Sequence, residues 1–520
     1  MPAPIWTGST NWRGHVSPDL RAILRRSLII LTAVTVITAW FSNTFYFPDE
    51  HYQILEFMGH KLGITPASEL PWEFEARIRP WLQPFLYYLI ARPLLALGIT
   101  DMFAVTFLLR LVTGLFSVFA LAVFARAILE TLKNETQQRA FARYLPLFGF
   151  LPYLFVRTSS ETLSAAFAAI AVALVLRGSS VRLLGLAGLL CGLAFEARYQ
   201  TAVLGLGVFL WLAIIARARM NALAAFIGGG LAALVLGALA NRWGYGAWVF
   251  PPWDYFHVNI IQGVAAKNFG REPVFAYFYL LPAQIFALIT LVLMAAMLAM
   301  WLRNPRHLLT WASLPFVLLH VMVAHKEARF LFPLAIMATA FPVLGFSPLL
   351  PSWRTFFTRV WGWRNSIAAR VVTVISVIGM IYFALYPFGV RPHMPMAQYL
   401  HRHPPGVIYS TGTVFQSYPL YRPAGFRAEA LQSPLQLSAL LNEGPVYLMT
   451  DRPVPPALPD GAQAQLLYSE FPLARFGYGQ AGSDYIDGYT AFAQRHGWLK
   501  LLPLYWYTLY RVERSATIRS

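Results

Sequence analysis

Long runs of apolar residues recur through most of the chain and constrain its fold more than any other feature. The hydrocarbon core of a bilayer is about 30 Å thick and needs ~20 apolar residues per α-helix. The runs therefore predict an α-helical polytopic membrane protein with about 11 transmembrane helices. The predicted spans are residues 28–46, 103–129, 144–157, 160–177, 183–196, 198–216, 222–241, 274–302, 309–325, 329–349 and 371–388.

The composition supports this class. Hydrophobic residues make up 57% of the 520 residues and charged residues 12%, which is about half the charged share of a soluble domain. The single cysteine, Cys191, excludes a disulfide framework and a cluster of thiolate metal ligands. We expect that the protein requires no cofactor, and we predict no site for a metal ion, divalent ions included.

The basic residues lie between the apolar runs, which accounts for the formal net charge of +18 without a nucleic-acid partner. Cytoplasmic loops of membrane proteins are enriched in Lys and Arg. The basic residues alternate correctly if the apolar segment 81–98, which contains Pro84 and Pro93, lies along the outer face instead of crossing the membrane. The N-terminus is then cytoplasmic and the C-terminus outside. The cytoplasmic basic set is Arg21, Arg25, Arg26, Lys133, Arg139, Arg143, Arg177, Arg182, Arg217, Arg219, Arg303, Arg306, Arg354, Arg359, Arg364 and Arg370.

This topology divides the chain into three predicted parts. They are a cytoplasmic N-terminal segment, 1–27, a transmembrane domain, 28–388, and an extracytoplasmic C-terminal domain, 389–520. The transmembrane part carries two large outer loops, 47–102 and 242–273. Strand-like runs separated by turn residues predict a small mixed α/β domain at the C-terminus. These runs are 406–410, 445–450 and 505–512.

Ionisable residues at the membrane edge are costly and mark candidate functional sites. The first of four such clusters on the outer face is Asp49, Glu50 and His51, directly after the first predicted span. One explanation is structural, because Pro48 opens a helix whose first-turn carboxylates complement the helix dipole. The functional explanation is that Asp49 acts as a base beside a lipid-facing groove.

Two further clusters combine aromatic and charged residues. In the loop 47–102, Trp72 and Glu73 precede Arg79, and a fixed guanidinium is suited to holding a phosphate. The loop 242–273 carries Trp253, Asp254 and His257 among many aromatic residues. Aromatic side chains bind sugars, but they also crowd any membrane interface, and the sequence leaves both interpretations open.

The fourth cluster is His325, Lys326, Glu327 and Arg329, between two predicted spans. Either Glu327 pairs with a neighbouring cation in a self-satisfied network, or the surplus positive charge binds a phosphate. Charged residues near other span ends are predicted to pair with one another between helices. They are Arg157, Glu161, Glu196 and Arg198.

Together these clusters resemble glycosyltransferase family 22, the polytopic α-mannosyltransferases of GPI-anchor and lipid-linked oligosaccharide assembly. Residues 47–53 (FPDEHYQ) are similar to the family signature H-P-D-E-x-x-Q, and residues 325–333 (HKEARFLFP) to its H-K-E-x-R-F hairpin. Three further segments, 71–81, 157–163 and 245–259, resemble other family motifs in the same order. Phe47 and Ala247 stand where the family usually has His and Lys, so the particular acceptor is not carried over.

The resemblance implies a GT-C fold and an α-mannosyltransferase that uses a polyprenyl-phosphate mannose donor, a glycolipid or glycan acceptor and inverting displacement. Asp49 is then the expected catalytic base, with Glu50 as the second choice. The expected donor-phosphate ligands are Arg79, His325, Lys326 and Arg329. The expected acceptor and sugar contacts are His51, Gln53, Trp72, Glu73, Trp253, Asp254 and His257.

A lipid or solute transporter, such as a flippase, is the rival class. Such proteins often carry inverted repeats and charged residues near the midplane of the membrane, whereas this chain shows no evident repeat and gathers its polar clusters at one face. Few lysines among the 41 basic residues indicate a GC-rich bacterial gene. We therefore expect a multi-pass protein of a bacterial inner membrane, surrounded by lipid, with its site facing outward.

Overall fold

The structure is a computed structural model that describes residues 16–132, 134–284, 287–346, 367–385, 393–412, 418–495 and 506–514. Four of the basic residues used for the topology, Lys133, Arg354, Arg359 and Arg364, lie outside these ranges, as does the predicted boundary at 388/389.

Helices dominate the described chain. The α-helices of eight or more residues are Pro18–Phe41, Leu82–Ala96, Met102–Thr131, Glu135–Tyr144, Ser160–Arg177, Val181–Ala197, Ala202–Leu210, Met220–Tyr245, Tyr277–Gln284, Ala287–Arg303, Leu308–Met322, Ile367–Leu385, Met394–Arg402, Pro434–Glu443 and Gly479–Arg495. The shorter α-helices are Pro48–Glu50, Glu56–Lys61, Trp72–Glu75, Leu151–Phe155, Pro251–Phe256, Val264–Phe269, Ala335–Ala338 and Phe341–Gly345. Short 3-10 and π segments complete the set. The 3-10 segments are Ala67–Glu69, Leu145–Leu147, Tyr199–Thr201, Ala328–Leu334, Pro419–Tyr421 and Ala474–Phe476, and the π segments are His51–Leu55, Trp211–Ile215 and His257–Ile261.

The predicted helical class is confirmed, but the number of spans is not. Within the described residues, 4 helices are long and apolar enough to cross a membrane, or 5 if the pair Ala287–Arg303 and Leu308–Met322, which meet at 118°, is one broken span. Two predicted spans, 144–157 and 329–349, are wrong as continuous helices, because each is divided into short pieces. Pro146 and Pro152 interrupt the first of them and Pro333 and Pro342 the second, since proline removes a backbone donor and clashes with the preceding turn.

The long helices run between two ends of the bundle, each marked by ion pairs. At one end Arg139 lies 2.9 Å from Asp19, and Arg177 lies 3.3 Å from Glu130. The first outer loop and the C-terminal domain lie together at the other end. Arg139 and Arg177, both assigned to the cytoplasmic set, therefore share one end, as the charge pattern predicts.

The C-terminal region forms the predicted mixed α/β domain. Its five-stranded sheet has the order β2-β1-β3-β5-β4, with β1 parallel to β2 and β3, and β5 antiparallel to β3 and β4. Sequence analysis missed β2 and β4, because their alanine, glutamine and charged residues have low β-propensity. The strands are β1 Val407–Thr411, β2 Arg427–Ala430, β3 Val446–Thr450, β4 Ala462–Ser469 and β5 Thr508–Arg514.

Candidate active site

The centre of the site is Asp49, in the short helix Pro48–Glu50 that follows the first long helix. Phe47 is extended and Pro48 occupies the first helical turn, where its missing N–H costs nothing. The Oδ2 atom of Asp49 lies 2.8 Å from Arg329 Nη2 and 3.8 Å from Arg79 Nη2. Residues from the first and fourth predicted clusters, about 280 positions apart in the chain, therefore meet here, together with one from the second.

Asp49 is held as an accessible carboxylate. Burial by itself would raise the pKa of its side chain, but the guanidinium groups of Arg329 and Arg79 outweigh this and lower the pKa below its ordinary value. The side chain keeps 30% of its surface exposed. Asp49 is therefore ionised and partly open, as a proton acceptor must be, but its lowered pKa makes it a weaker base than an unpaired carboxylate.

Arg329 is shared among three carboxylates. Besides Asp49, its Nε atom bonds Glu327, and its Nη1 lies 3.6 Å from Glu161 Oε1. Glu161 in turn pairs with Arg198 at 2.8 Å. The predicted surplus of positive charge is therefore wrong for the described site, because acidic side chains from distant helices offset the cations. Arg198, which the sequence assigned only to a pairing role, lies in the wall of the site.

Phe47, which departs from the family signature, packs against the same arginine. The guanidinium carbon of Arg329 lies 4.3 Å from the centroid of the Phe47 ring, within the range of a cation–π interaction. The aromatic ring thus supports the arginine from one side while the carboxylates hold it from the other.

Glu50 is a structural residue in this arrangement. It is 3% exposed, and its Oε1 accepts hydrogen bonds from the backbone N–H of Thr158 at 2.9 Å and from its hydroxyl at 3.2 Å. Its Oε2 accepts from the N–H of Tyr46 at 3.0 Å, and Arg157 lies 3.8 Å from Oε1. Both oxygens are occupied and shielded, so Glu50 does not fit the role of a second base.

His51 has no exposed surface, so it does not fit the predicted contact with an acceptor. Its Nε2 faces Glu56 Oε1 at 2.7 Å. Sequence analysis missed this pairing, since Glu56 lies five residues on, at the start of the next helix.

Lys326 and His325 belong to the hairpin but contact other groups. The Nζ atom of Lys326 donates to the carbonyl oxygens of Glu272, at 3.0 Å, and Val323, at 2.6 Å. His325 Nε2 lies 2.9 Å from Glu327 Oε1. No described contact joins Lys326 to Asp49, so its ammonium ties the hairpin to the second outer loop and fits poorly as a phosphate ligand.

The second cluster reaches the site through Glu73. Gln53 Nε2 donates to Glu73 Oε1 at 3.0 Å, and Arg79 Nη2 lies 3.4 Å from the same oxygen. Trp72, by contrast, is largely exposed. The hydroxyl of Tyr245 accepts from the N–H of Arg79 and donates to its carbonyl oxygen, which fixes the backbone at the arginine.

The third cluster contributes different residues from those predicted. Trp253 is 56% exposed, and His257 faces Gln262 within its own segment. Neither these two nor Asp254 is among the described residues that line the cleft beside Asp49. Tyr255 does line it, and its hydroxyl accepts a 2.6 Å hydrogen bond from Gln200. Tyr255, which lies between the predicted contacts Asp254 and His257, is therefore the residue that faces the site.

A cleft of about 500 Å³ opens beside Asp49. Gln83 holds its side chain in one orientation, because Nε2 donates to the carbonyl oxygens of Thr158 and Ser159. Among the described atoms, Gln83 Oε1 and Tyr199 Oη are buried without a hydrogen-bond partner. The residues lining the cleft are Asp49, Glu50, Gln53, Ile54, Arg79, Pro80, Gln83, Pro84, Ser160, Glu161, Ala197, Arg198, Tyr199, Gln200 and Tyr255.

Two further cavities adjoin the hairpin that carries Arg329. The first, of about 240 Å³, is lined by Tyr46, Phe47, Arg329 and Phe332 among others. Phe332 also lines the second, a groove of about 590 Å³ with almost entirely apolar walls that include Leu293, Met297 and Leu331. The cleft beside Asp49 thus has charged and amide side chains in its lining, whereas the groove is apolar. In the described part of the chain no group of three or more His, Cys, Asp or Glu side chains could hold a metal ion.

These features define a class: a polytopic helical membrane protein with a carboxylate–arginine site at one end of its bundle. Residues 27–414 match the model of the Alg9-like mannosyltransferase family, and the chain belongs to that family. The predicted resemblance to glycosyltransferase family 22 is thereby confirmed.

Several relatives are GPI mannosyltransferases. The chain is 27% identical over 314 residues to GPI mannosyltransferase 3 of Yarrowia lipolytica, which covers 59% of each chain. It is 27% identical to GPI mannosyltransferase 3 of Drosophila melanogaster, over 59% of this chain and 53% of the relative. With human GPI alpha-1,2-mannosyltransferase 3 it is 25% identical, over 59% and 54% respectively. The match thus spans little more than half the length of these relatives.

Two solved structures of ArnT from Cupriavidus metallidurans also match the chain. The apo structure has 13% identity and a TM-score of 0.47, over 82% of this chain and 93% of ArnT. The structure bound to undecaprenyl phosphate has 12% identity and a TM-score of 0.48, over 83% and 93% respectively.

Proposed function

We propose that this protein is a GT-C-type α-mannosyltransferase that moves mannose from a polyprenyl-phosphate donor to a hydroxyl of a glycolipid or glycan. The observation that carries the proposal is the Asp49 carboxylate, partly exposed in a cleft and paired with Arg329 and Arg79. A base next to cationic groups is the pairing that sugar transfer from a phosphate leaving group needs. Family membership supports the same reaction.

The cleft and the groove suit the two substrates. The cleft beside Asp49 is walled by amide, hydroxyl and guanidinium groups, which suit the hydroxyls of an acceptor sugar. The groove is apolar, which suits a prenyl chain. The donor phosphate then lies between them, within reach of the two arginines that face Asp49, Arg329 and Arg79.

The proposed reaction is a single displacement with inversion. The acceptor oxygen attacks the anomeric carbon and forms the new glycosidic bond, while the bond from that carbon to the phosphate oxygen breaks. Asp49 accepts the proton of the acceptor hydroxyl. The departing polyprenyl phosphate keeps the bonding electron pair and gains one negative charge, which Arg329 and Arg79 stabilise. A general base contributes about 10²–10⁴-fold to such a rate.

The site is proposed to face the extracytoplasmic side of a membrane, and the composition favours a bacterial inner membrane. The relatives named above come from eukaryotes and carry GPI mannosyltransferase names, which favours a glycolipid acceptor. No divalent metal takes part in the proposed reaction.

The test uses the purified full chain in detergent with radiolabelled polyprenyl phosphomannose and a lipid-linked glycan acceptor. We expect release of polyprenyl phosphate together with a glycan enlarged by one mannose. Asp49→Asn keeps the shape of the side chain and should lower transfer by at least ~10²-fold. Asp19→Asn, at the opposite end of the bundle, is the matched control. Intact donor in the presence of acceptor would favour a transporter, and normal transfer by Asp49→Asn would rule out this base.

A further inference from the structure

The C-terminal domain packs directly against the segment that follows Asp49. The ring of Tyr421 stacks on Phe103 with centroids 4.2 Å apart and on His51 at 5.6 Å. Tyr418 meets His51 edge-on at 4.8 Å. Phe45 covers His51 from another side at 5.4 Å. A single buried core therefore joins the domain to the first outer loop.

Glu56 is the polar centre of this interface. Its side chain has no exposed surface. Its Oε1 lies 2.7 Å from His51 Nε2 and accepts a 3.2 Å hydrogen bond from the backbone N–H of Leu420, while its Oε2 accepts from the hydroxyl of Thr65. A buried carboxylate is tolerated only when such partners compensate for lost hydration. These partners come from three segments, and Leu420 belongs to the C-terminal domain.

The same interface continues into the turn that carries Asp49. The π-helix His51–Leu55 follows directly on the helix Pro48–Glu50 and ends where Glu56 begins the next helix. Such π segments are frequent at functional sites. Glu50, at the end of the helix Pro48–Glu50, bonds to Thr158. Glu56, directly after the π-helix, bonds to Leu420. Asp49 is therefore followed within seven residues by two buried carboxylates, Glu50 and Glu56, that touch different parts of the fold.

We propose, on the basis of the function proposed above, that Glu56 is a positioning residue through which the C-terminal domain keeps the Asp49 carboxylate aligned with Arg329 and Arg79. Glu56 is buried and contacts no substrate. The C-terminal domain then contributes to the reaction by keeping Asp49 in position. This contribution does not depend on the identity of the acceptor. Thr65, His51 and Leu420 are the groups through which this alignment is transmitted.

The decisive variant is Glu56→Gln, which keeps the shape but replaces one acceptor oxygen by a donor. We expect kcat to fall by up to about 10²-fold, as for a misplaced catalytic group, while the donor KM changes little. The acid limb of the pH–rate profile should move to higher pH, since an Asp49 displaced from Arg329 and Arg79 loses the groups that lower its pKa. Glu327 faces the same carboxylate and acts in the opposite sense.

Two further variants keep the result interpretable. Thr65→Val removes one partner of Glu56 with little change of shape, and it should shift the acid limb in the same direction by a smaller amount. Arg452→Ala removes a pair with Asp487 inside the C-terminal domain, away from the described contacts of Glu56, and should leave rate and limb unchanged, because exposed ion pairs contribute little. If Glu56→Gln yields no folded protein, Thr65→Val decides the question.

Hydrogen–deuterium exchange provides a readout that does not depend on activity. The amides of residues 51–61 should exchange faster in Glu56→Gln than in the unaltered protein, while those of Val181–Ala197 stay the same. Unchanged exchange at 51–61, or a normal kcat with an unshifted acid limb, would overturn the positioning role. If the unaltered protein transfers no mannose, the proposed function fails, and the exchange experiment still decides whether Glu56 holds this segment.

Discussion

At the scale of single residues, the central feature of the site is that several acidic groups share the guanidinium of Arg329. Arg329 contacts Asp49 and two further carboxylates, Glu327 and Glu161. A donor phosphate would bind the same guanidinium and reduce its hold on Asp49. The base would then become a stronger proton acceptor when the donor is in place, because the charge that lowers its pKa is shared with the phosphate.

The pH dependence of transfer tests this arrangement. Burial raises the pKa of Asp49 and the two arginines lower it, with a net value below the ordinary 3.8. Asp49 therefore stays ionised down to low pH, and the acid limb of kcat/KM, which reports the free enzyme, should lie below that value. In Arg329→Gln one of the two charges that lower the pKa of Asp49 is lost, while burial still raises this pKa. The acid limb should therefore move to higher pH. Arg452→Gln, which breaks a pair with Asp487 in the C-terminal domain, should leave it unmoved.

The structure also separates the roles of two neighbouring cations. Arg329→Gln should lower kcat/KM for the donor by about 10²-fold, since it removes charge that stabilises the leaving phosphate. Lys326→Met should change this constant far less and should lower the thermal unfolding temperature, because its Nζ atom bridges two backbone carbonyls. Kinetics with varied donor and a thermal melt of each variant measure both effects. A larger kinetic loss in Lys326→Met would restore Lys326 as the phosphate ligand.

At the scale of elements, the site depends on helices that approach closely. Val181–Ala197 ends at Arg198, and its partner Met220–Tyr245 leads into the loop that carries Tyr255. Glycines make the contact between them. A Cβ atom on Gly188 would lie 1.9 Å from the carbonyl oxygen of Phe226, and one on Gly229 would lie 2.0 Å from that of Gly185. Small residues at such positions let helix backbones pack together in membranes.

Neighbouring glycines give a matched test of this packing. Gly188→Ala should destabilise the protein by about 1–3 kcal/mol, the usual cost of overpacking, because the clash is with a backbone that cannot yield. A Cβ atom on Gly228 meets nothing within 4 Å, so Gly228→Ala should be neutral or slightly stabilising in a helix. Thermal unfolding in detergent measures both variants. Equal melting temperatures would show that this contact is looser than the structure indicates.

At the scale of the whole molecule, the candidate site lies at one end of the helical bundle and part of the predicted cytoplasmic basic set lies at the other. The cleft and the C-terminal domain lie at one end, where Glu69 pairs with Arg422. Arg139 and Asp19 lie at the other. If the site faces outward, the end with Glu69 is extracytoplasmic and the end with Arg139 is cytoplasmic, in keeping with the positive-inside rule.

Cysteine labelling tests this orientation. Cys191 is the single cysteine of the chain and is buried, so Cys191→Ala provides a background for introduced cysteines. A membrane-impermeant maleimide applied to intact cells or spheroplasts should label Glu69→Cys and leave Arg139→Cys unlabelled until the membrane is permeabilised. The reverse pattern would invert the predicted topology and place the site on the cytoplasmic side.

Hydropathy and motif spacing alone determined the class of this protein and the chemistry available to it. Apolar runs predict helices because backbone polar groups in a membrane must be satisfied within the segment. Clustered charges at the membrane edge mark the segments that contain Asp49, Arg79 and Arg329 as candidate sites, since charge there is costly. These inferences are local, and a linear pattern is sufficient for them.

Only the tertiary structure decided which of these residues work together. Glu50 and His51 stand beside Asp49 in the sequence, yet both are buried and paired, whereas Glu161 and Arg198 complete the site from distant helices. A buried charge is stable only with partners, and the bundle brings those partners together from remote parts of the chain. Neighbouring residues on one helical turn point in different directions, so adjacency in sequence could not separate the base from its supports.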